Sequence, residues 1–535
     1  MFAFKKIVPL LVFSGIAFGV FIGTKINTEK KDKFSEIIDI IENDYVDSTV
    51  GELIREEAIV HLLSQLDPHS SYIPPQLSAI NEQQIRGNFD GLGIENILFD
   101  DSIMITKVMD GSSAQKAGLK EGDRMLKANM LSLLDSNAFD NLSLALEKST
   151  VQLSVFRRSA NKSIVFNLKK ASVVINSSKI YYMVNQSLGY IKIDRFSSNT
   201  HQEFLNSLTH LKQQGLKDLI LDLRNNGGGL LAEAVAIANE FLAKNDIITY
   251  TKGNKRNLKE YIADGNGQFK KGKLILLTNQ NTASSSEILT GAMQDHDRAV
   301  VLGNRTFGKG LVQEPFRLPD GSTIRLTTAR YYTPSGRSIQ KTYSKNIDWY
   351  RNEIFRRNNL QDTLNPVFDS TVVKDFFSTN GRLLTIGGGI RPDVILKDPI
   401  SDSFSVSAKI ILILNQSKAF DIFIIDYYQN ELAQIKKDFP TMQAFNFNFQ
   451  CSNQQIEKLQ QVIFKKNNIN IYQYNIKQLL AKNLKAAIAY KLYGENGKSQ
   501  LLNLYDGIFS ISFDVLKNYN RILNINAKKS RKFDY

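Results

Sequence analysis

Between residues 188 and 302 short apolar runs alternate with amphipathic stretches, and that alternation predicts the architecture of the middle of the chain. Strands are expected at 188–193, 218–223, 273–278 and 299–302, with helices at 200–213, 230–242 and 284–294 between them. Apolar strands separated by helices of this length imply a layered α/β core with largely parallel pairing. Upstream, Phe34, Ile37, Ile38, Ile41 and Tyr45, then Leu53, Ile54, Ala58, Leu62 and Leu63, recur at helical spacing. They predict two helices joined by a turn at 44–49. Asp67-Pro68-His69-Ser70 ends that pattern, because proline disfavours helical geometry in the residue before it.

A different rhythm holds from about 87 to 171. Residues 103–108, 151–157 and 163–168 read as strands, 113–119 as a helix, and Glu121-Gly122-Asp123 as a turn. Beyond 343 the pattern weakens. Residues 346–365 are polar and aromatic, 386–394 read as a return to the core, and 402–535 are mainly helical with many Asn, Gln and Lys. The expected organisation is an N-terminal segment at 1–26, helices at 27–85, a β-rich insertion at 86–172, an α/β core at 173–400 and a helical extension at 401–535.

At 535 residues the chain exceeds what one hydrophobic core supports, so it is multidomain. Lys5 and Lys6 precede a 17-residue apolar run at 7–23, which reads as an export signal or a membrane anchor, with the uncleaved anchor preferred; either places everything after Thr24 on the outer side. Cys451 is the only cysteine, which excludes an internal disulfide and a cysteine metal cluster. The net charge of +14 is scattered rather than patterned, and no nucleic-acid motif accompanies it. A solvated basic surface is the leading account, with attraction to anionic lipid near an anchored protein as the alternative.

The candidate chemistry lies at 281–313. Asn281-Thr282-Ala283-Ser284-Ser285-Ser286-Glu287 opens a helix, and Gly308-Lys309-Gly310 follows the next strand. Serines at a helix start are often only caps, and a lysine in a glycine turn is often only a surface residue. Together they suit a hydroxyl nucleophile and an amine base, provided burial lowers the amine from the ordinary value of about 10.4 to near neutrality, on the order of 4 kcal/mol. The loop at 222–230, Asp-Leu-Arg-Asn-Asn-Gly-Gly-Gly-Leu, ends a strand and exposes N–H groups as an oxyanion hole requires. It lacks the Gly-Lys-Ser/Thr of a phosphate loop. Neither a His-Glu-x-x-His metal motif nor a histidine within reach of Ser284 is apparent.

Phe89-Asp90-Gly91-Leu92-Gly93-Ile94, the following strand and helix, and the Gly-Asp turn resemble a PDZ domain. The glycine loop, the serine run, residues 303–313 and Tyr331-Tyr332-Thr333-Pro334-Ser335-Gly336-Arg337 resemble the C-terminal processing peptidases, over roughly 33–340. The resemblance implies Ser284 as nucleophile, 25 positions before Lys309 as general base, with Gln313 orienting the lysine. It implies the backbone N–H groups of Gly228 and Ser285 as oxyanion donors. Gly91, Leu92, Gly93 and Ile94 are the implied contacts for a substrate's terminal carboxylate, with Leu92 and Ile94 lining an apolar pocket. Asn281-Thr282, Ser285 and Gly227 depart from the family's usual Gly-Ser, alanine and proline, which bears on substrate preference.

The implied protein is a serine endopeptidase of the bacterial envelope, anchored in the inner membrane with its catalytic part in the periplasm or exported. It acts on proteins with free C-termini and uses no metal or cofactor. A homo-oligomer is compatible with it. The rival from another class is a catalytically silent PDZ scaffold; intact Ser284, Lys309 and Gln313 speak against it.

Overall fold

The computed structural model describes residues 32–47, 51–99, 102–343, 347–357, 375–385, 388–395, 406–416, 418–427, 431–467 and 476–523. The anchor expected at 1–26 lies outside them. Among the described residues no helix is long and apolar enough to cross a membrane. The chain forms two units, one of residues 1–73 and 315–326 and one of 74–314 and 327–535.

The first unit contains helices Lys33–Asp44 and Gly51–Ser64. Asp32 caps the first, its carboxylate accepting from the N–H groups of Phe34 and Ser35. Strand Ser71–Ile73 runs antiparallel to residues 323–325, with Ser71 opposite Arg325. This pairing draws 315–326 into the unit, whereas helix Pro75–Arg86 belongs to the larger one, so the boundary falls earlier than the expected residue 85.

The second unit is built on a six-stranded sheet in the order Ile180–Met183, Leu188–Lys192, Asp218–Asp222, Leu274–Thr278, Val300–Gly303, Val394–Ile395. The first pair is antiparallel and the rest are parallel. Side chains alternate between its faces with period two. Leu219, Leu221, Leu274 and Leu276 meet Phe204, Leu208, Ile237, Ile288 and Leu289 from helices Thr200–Gln213, Leu231–Asn239 and Ser285–Asp295. Ile220, Ile275, Leu277 and Leu302 point the other way and meet Phe509, Val515, Tyr519 and Leu523. The second layer therefore comes from the C-terminal extension, through helices Gly507–Lys517 and Tyr519–Ile522. Lys273 Nζ donates to Leu516 O at 2.8 Å, and Tyr519 Oη donates to Arg298 O at 2.7 Å. A parallel sheet is buried on both faces, so the extension completes the core.

An antiparallel sheet flanks this core, with Ile247–Lys252 paired to Lys259–Ile262 and to residues 330–332. The insertion is a separate antiparallel sheet, Ile94–Phe99, Ser102–Val108, Arg124–Ala128, Thr150–Arg157 and Lys162–Lys169 in spatial order, with helices Ser113–Ala117 and Ala138–Leu146. Strand Ile94–Phe99 lies at its edge. Strands Asn88–Gly91 and Ala171–Val174 pair at its root.

The extension has its own helical core, centred on Phe423, Phe445, Leu459, Leu480 and Ile488. It also seats on the insertion. Ile422 and Ile425 pack with Phe99 and Met104, Lys491 pairs with Glu121 at 2.6 Å, and Lys418 with Glu95 at 3.0 Å.

Candidate active site

Ser284 precedes helix Ser285–Asp295 with φ 57° and ψ −117°. An N-cap residue ordinarily sits in the extended region, and a positive φ at a non-glycine residue marks a position that its surroundings over-determine. Glu287, three residues on and fully buried, provides much of that constraint. Its Oε2 accepts from the N–H of Ser284 at 2.9 Å and from the N–H of Lys309 at 2.9 Å. The two nitrogens therefore lie no more than twice that distance apart. Oε1 accepts from Gly308 N at 2.7 Å and from the Thr306 hydroxyl.

Tyr331 repeats the clamp on the carbonyl side. Its phenol lies at 3.0 Å from Ser284 O and also within hydrogen-bond distance of Lys309 O. Backbone bonds complete the frame, from Phe307 N to Thr282 O at 2.9 Å, Tyr331 N to Gly310 O at 3.0 Å and Lys341 N to Gly308 O at 2.9 Å. The strand-turn segment carrying Lys309 is thereby fastened beside the start of the serine helix. Lys309 and Ser284 are both half-buried.

The three adjacent serines are not equivalent. Ser285 Oγ donates to Gly229 O at 2.8 Å, and Ser286 Oγ donates to Asn226 O at 3.0 Å, so both hydroxyls tie the helix to the glycine loop. Thr282 Oγ1 does the same at Leu223 O, 2.9 Å away. At Ser284 the first helical turn closes with Glu287 N donating to Ser284 O at 2.7 Å, as part of a capping box with Glu287.

The glycine loop reaches the serine. A Cβ on Gly228, whose φ is 99°, would lie 2.8 Å from Ser284 Cβ and 3.0 Å from Ser285 N. Only glycine permits that approach. The Gly228 N–H donates to Asn226 Oδ1 at 2.9 Å, and the Asn226 amide donates to Ile193 O at 2.9 Å. Of the two expected oxyanion donors, this one is thus held by a buried side chain. Gln313 is half-buried and its amide donates to Thr327 Oγ1 at 3.2 Å. His296, at the far end of the helix, has a ring nitrogen 2.7 Å from Ile247 O.

The charges around the site are displaced by burial. Burial raises the Glu287 carboxyl to about 7, against the pull of its four donors. Burial also raises the Tyr331 phenol, which keeps it protonated. Asp222 at the start of the loop is fully buried; burial pushes its carboxyl up, but the Arg224 guanidinium outweighs this and holds it below the ordinary range. Burial lowers the Lys341 ammonium to about 8, where it lies against the rings of Phe307 and Tyr350 and donates to Tyr350 O at 2.8 Å.

In the insertion, Leu92 is 3 % exposed and belongs to the module's own core, while Ile94 is half-buried against that core. Leu92 therefore shapes the loop from within rather than lining an open pocket. Gly93 has φ 77°, and a Cβ there would overlap Ser112 Cβ at 2.2 Å. Its carbonyl accepts from Met109 N at 2.8 Å. Among the described residues no cluster of His, Cys, Asp and Glu forms a metal site.

Sequence reasoning passed over Glu287 and Tyr331. The spacing Ser284-x-x-Glu287 is a capping-box pattern and was the available signal for the first. Tyr331 opens one of the segments that carry the family resemblance, but nothing in that segment gives it a role at the serine.

Comparison with known proteins gives three findings. Residues 187–348 match Peptidase family S41, and residues 412–494 match a family of unknown function, DUF8443. The Probable CtpA-like serine protease of Staphylococcus haemolyticus is 33 % identical over 342 residues, 62 % of this chain and 68 % of that protein. The protein of the same name from Staphylococcus aureus strain RF122 is 33 % identical over 333 residues, 60 % of this chain and 66 % of that protein. This chain thus spans about two thirds of those relatives' length. A photosystem II D1 C-terminal processing protease structure is 25 % identical, with a TM-score of 0.36, covering 69 % of this chain and 93 % of that one.

Proposed function

This chain belongs to the S41 serine peptidases, the C-terminal processing peptidase family, and from that membership we propose that it is an endopeptidase acting through a Ser284–Lys309 dyad on proteins delivered by their C-terminus. The carrying observation is the double clamp, Glu287 on the N–H groups and Tyr331 on the carbonyls, that fastens the Ser284 and Lys309 backbones together.

In this reading the Ser284 hydroxyl attacks the scissile carbonyl while Lys309, neutral, takes its proton. The C–N bond breaks, the leaving amine recovers a proton from Lys309, and water then hydrolyses the acyl-enzyme. The Ser285 N–H, at the positive end of the helix, favours the developing oxyanion. The Gly228 N–H joins it by exchanging Asn226 Oδ1 for that oxygen. Gln313 orients the lysine.

Residues 86–172 act as a PDZ domain. Strand Ile94–Phe99 is the edge strand of its sheet, which supports strand addition by a peptide tail beside the extension's contacts at Glu95 and Phe99, with the turn at Gly91-Leu92-Gly93 receiving its carboxylate. The apolar segment at 7–23 holds the enzyme at the outer face of the bacterial inner membrane.

The test is an unstructured protein ending in apolar residues, offered with a free or an amidated C-terminus. Wild type is expected to cut the free form at least about tenfold faster, as loss of a charge-assisted contact implies. Ser284→Ala is expected to bind the tail and leave it intact. Equal cleavage by wild type and Ser284→Ala removes the dyad; equal rates on both tails remove the carboxylate reading.

A further inference from the structure

Arg224 opens the glycine loop, and its guanidinium serves two carboxylates from distant parts of the chain. Nε and Nη2 donate to Asp222, the latter at 2.6 Å, while Nη1 donates to Asp506 Oδ2 at 2.5 Å. Asp222 ends its strand fully buried, and its Oδ2 also accepts from Tyr190 Oη at 2.7 Å. Asp506 belongs to the C-terminal extension. It is the N-cap of helix Gly507–Lys517, whose residues Phe509 and Val515 cover the second face of the central sheet.

We propose that Asp506 is a positioning residue for catalysis: through Arg224, the C-terminal extension fixes the glycine loop against Ser284. The proposal deepens the serine-peptidase reading and rests on it. One carboxylate is divided between two tasks. Asp506 Oδ1 accepts from Ile508 N at 2.9 Å and Phe509 N at 3.2 Å, which seats the helix, and Oδ2 holds the arginine.

Beyond Arg224 the loop is bonded step by step to the serine helix. Asn225 N donates to Asn279 Oδ1 at 3.0 Å, Asn226 O accepts from Ala283 N at 3.0 Å, and Gly228 abuts Ser284 Cβ. A guanidinium held on one side by Asp222 keeps freedom to swing about that pair. A second carboxylate on the opposite nitrogen removes it, because the planar fork is then fixed at both ends. The peptidase core thus borrows a loop support from a helix more than 200 positions away in sequence.

Asp506→Ser separates this role from capping. Serine is a good N-cap, so the helix keeps its start, but its short side chain does not reach Arg224. Two readouts are compared in the full-length protein. The first is amide hydrogen exchange at 225–230, which needs no turnover and stands even if the protein cuts nothing. The second is kcat and KM on the tail substrate.

Exchange at 225–230 is expected to accelerate about tenfold, with kcat falling roughly ten- to a hundredfold at little changed KM, the cost of a small misplacement of an oxyanion donor. Asp506→Asn has a single acceptor oxygen for both tasks, so its NH2 opposes either the cap N–H groups or the Arg224 guanidinium, and it is expected to loosen the loop as Asp506→Ser does. Unchanged loop exchange in a folded Asp506→Ser protein overturns the proposal, whatever its turnover. So does a loss of kcat that only follows a loss of folded protein in both variants. If loop exchange rises while wild type itself shows no peptidase activity, the loop support stands and the enzyme reading fails.

Discussion

Replacing Lys309 with methionine is expected to lower kcat at least about a thousandfold, or about 4 kcal/mol of transition-state stabilisation, while leaving the fold in place. The structure makes this substitution clean. The frame holds position 309 by its backbone, through the N–H on Glu287 and the carbonyl near the Tyr331 phenol. Methionine keeps both and retains most of the apolar stem, so only the amine is lost. An unchanged melting temperature with turnover reduced to background is the expected pair of results. Turnover within about threefold of wild type, on the same scale, assigns the base elsewhere.

Glu287→Gln is expected to have the second largest effect and to act on stability as well as rate. The carboxylate faces four donors, Ser284 N, Lys309 N, Gly308 N and the Thr306 hydroxyl. A glutamine turns its NH2 toward one of those groups whichever way it is placed, leaving donors opposed in a dry interior. A loss of about 2–4 kcal/mol follows, together with loosening of Ser284 relative to Lys309.

The pH dependence has a defined sign. Burial raises the carboxyl from its ordinary value to about 7, so the native state holds this proton more tightly than the unfolded chain. Its contribution to stability is fully present below the ordinary carboxylate range and is lost as pH rises through about 7. Activity moves the opposite way, since only the ionised form accepts from all four donors. The groups facing it include the Tyr331 phenol, which burial keeps protonated. Wild-type kcat is therefore expected to climb with a limb near neutrality that Glu287→Gln lacks. Identical pH profiles in urea denaturation and in turnover for the two proteins contradict this role for Glu287.

The parallel core was legible because its strands are continuous apolar runs. Expected strands at 188–193, 218–223 and 273–278 match Leu188–Lys192, Asp218–Asp222 and Leu274–Thr278 to within a residue at each end. The flanking strands Ile247–Lys252 and Thr323–Tyr332 went unread. They are rich in Thr, Tyr, Lys and Arg and only partly buried, so they show no apolar run. The helical character of 401–535 was legible, but its place in the core was not. One signal pointed there. Leu219-Ile220-Leu221 is apolar on both faces, and the crossover helices lie on one of them, so another layer had to cover Ile220.

Within the site, residue type and order singled out Ser284 and Lys309 only when joined to the family resemblance. By residue chemistry alone, Ser285 and Ser286 were equal candidates; their donations to Gly229 O and Asn226 O are long-range facts that no local pattern encodes. Glu287 was readable as a cap, but not as the bridge to a segment about twenty residues away, because that depends on how strand Val300–Gly303 returns beside the helix. The Arg224–Asp506 pair joins positions separated by most of the chain and is likewise invisible to spacing.

The most direct test of the central claim is labelling with a fluorophosphonate, which reacts only with an activated serine, followed by peptide mass spectrometry. The account predicts a single adduct on Ser284, forming faster as pH rises toward neutrality and at least about a hundredfold more slowly in Lys309→Met, the scale of a lost general base. An adduct on another residue, or equal labelling rates in wild type and Lys309→Met, contradicts it.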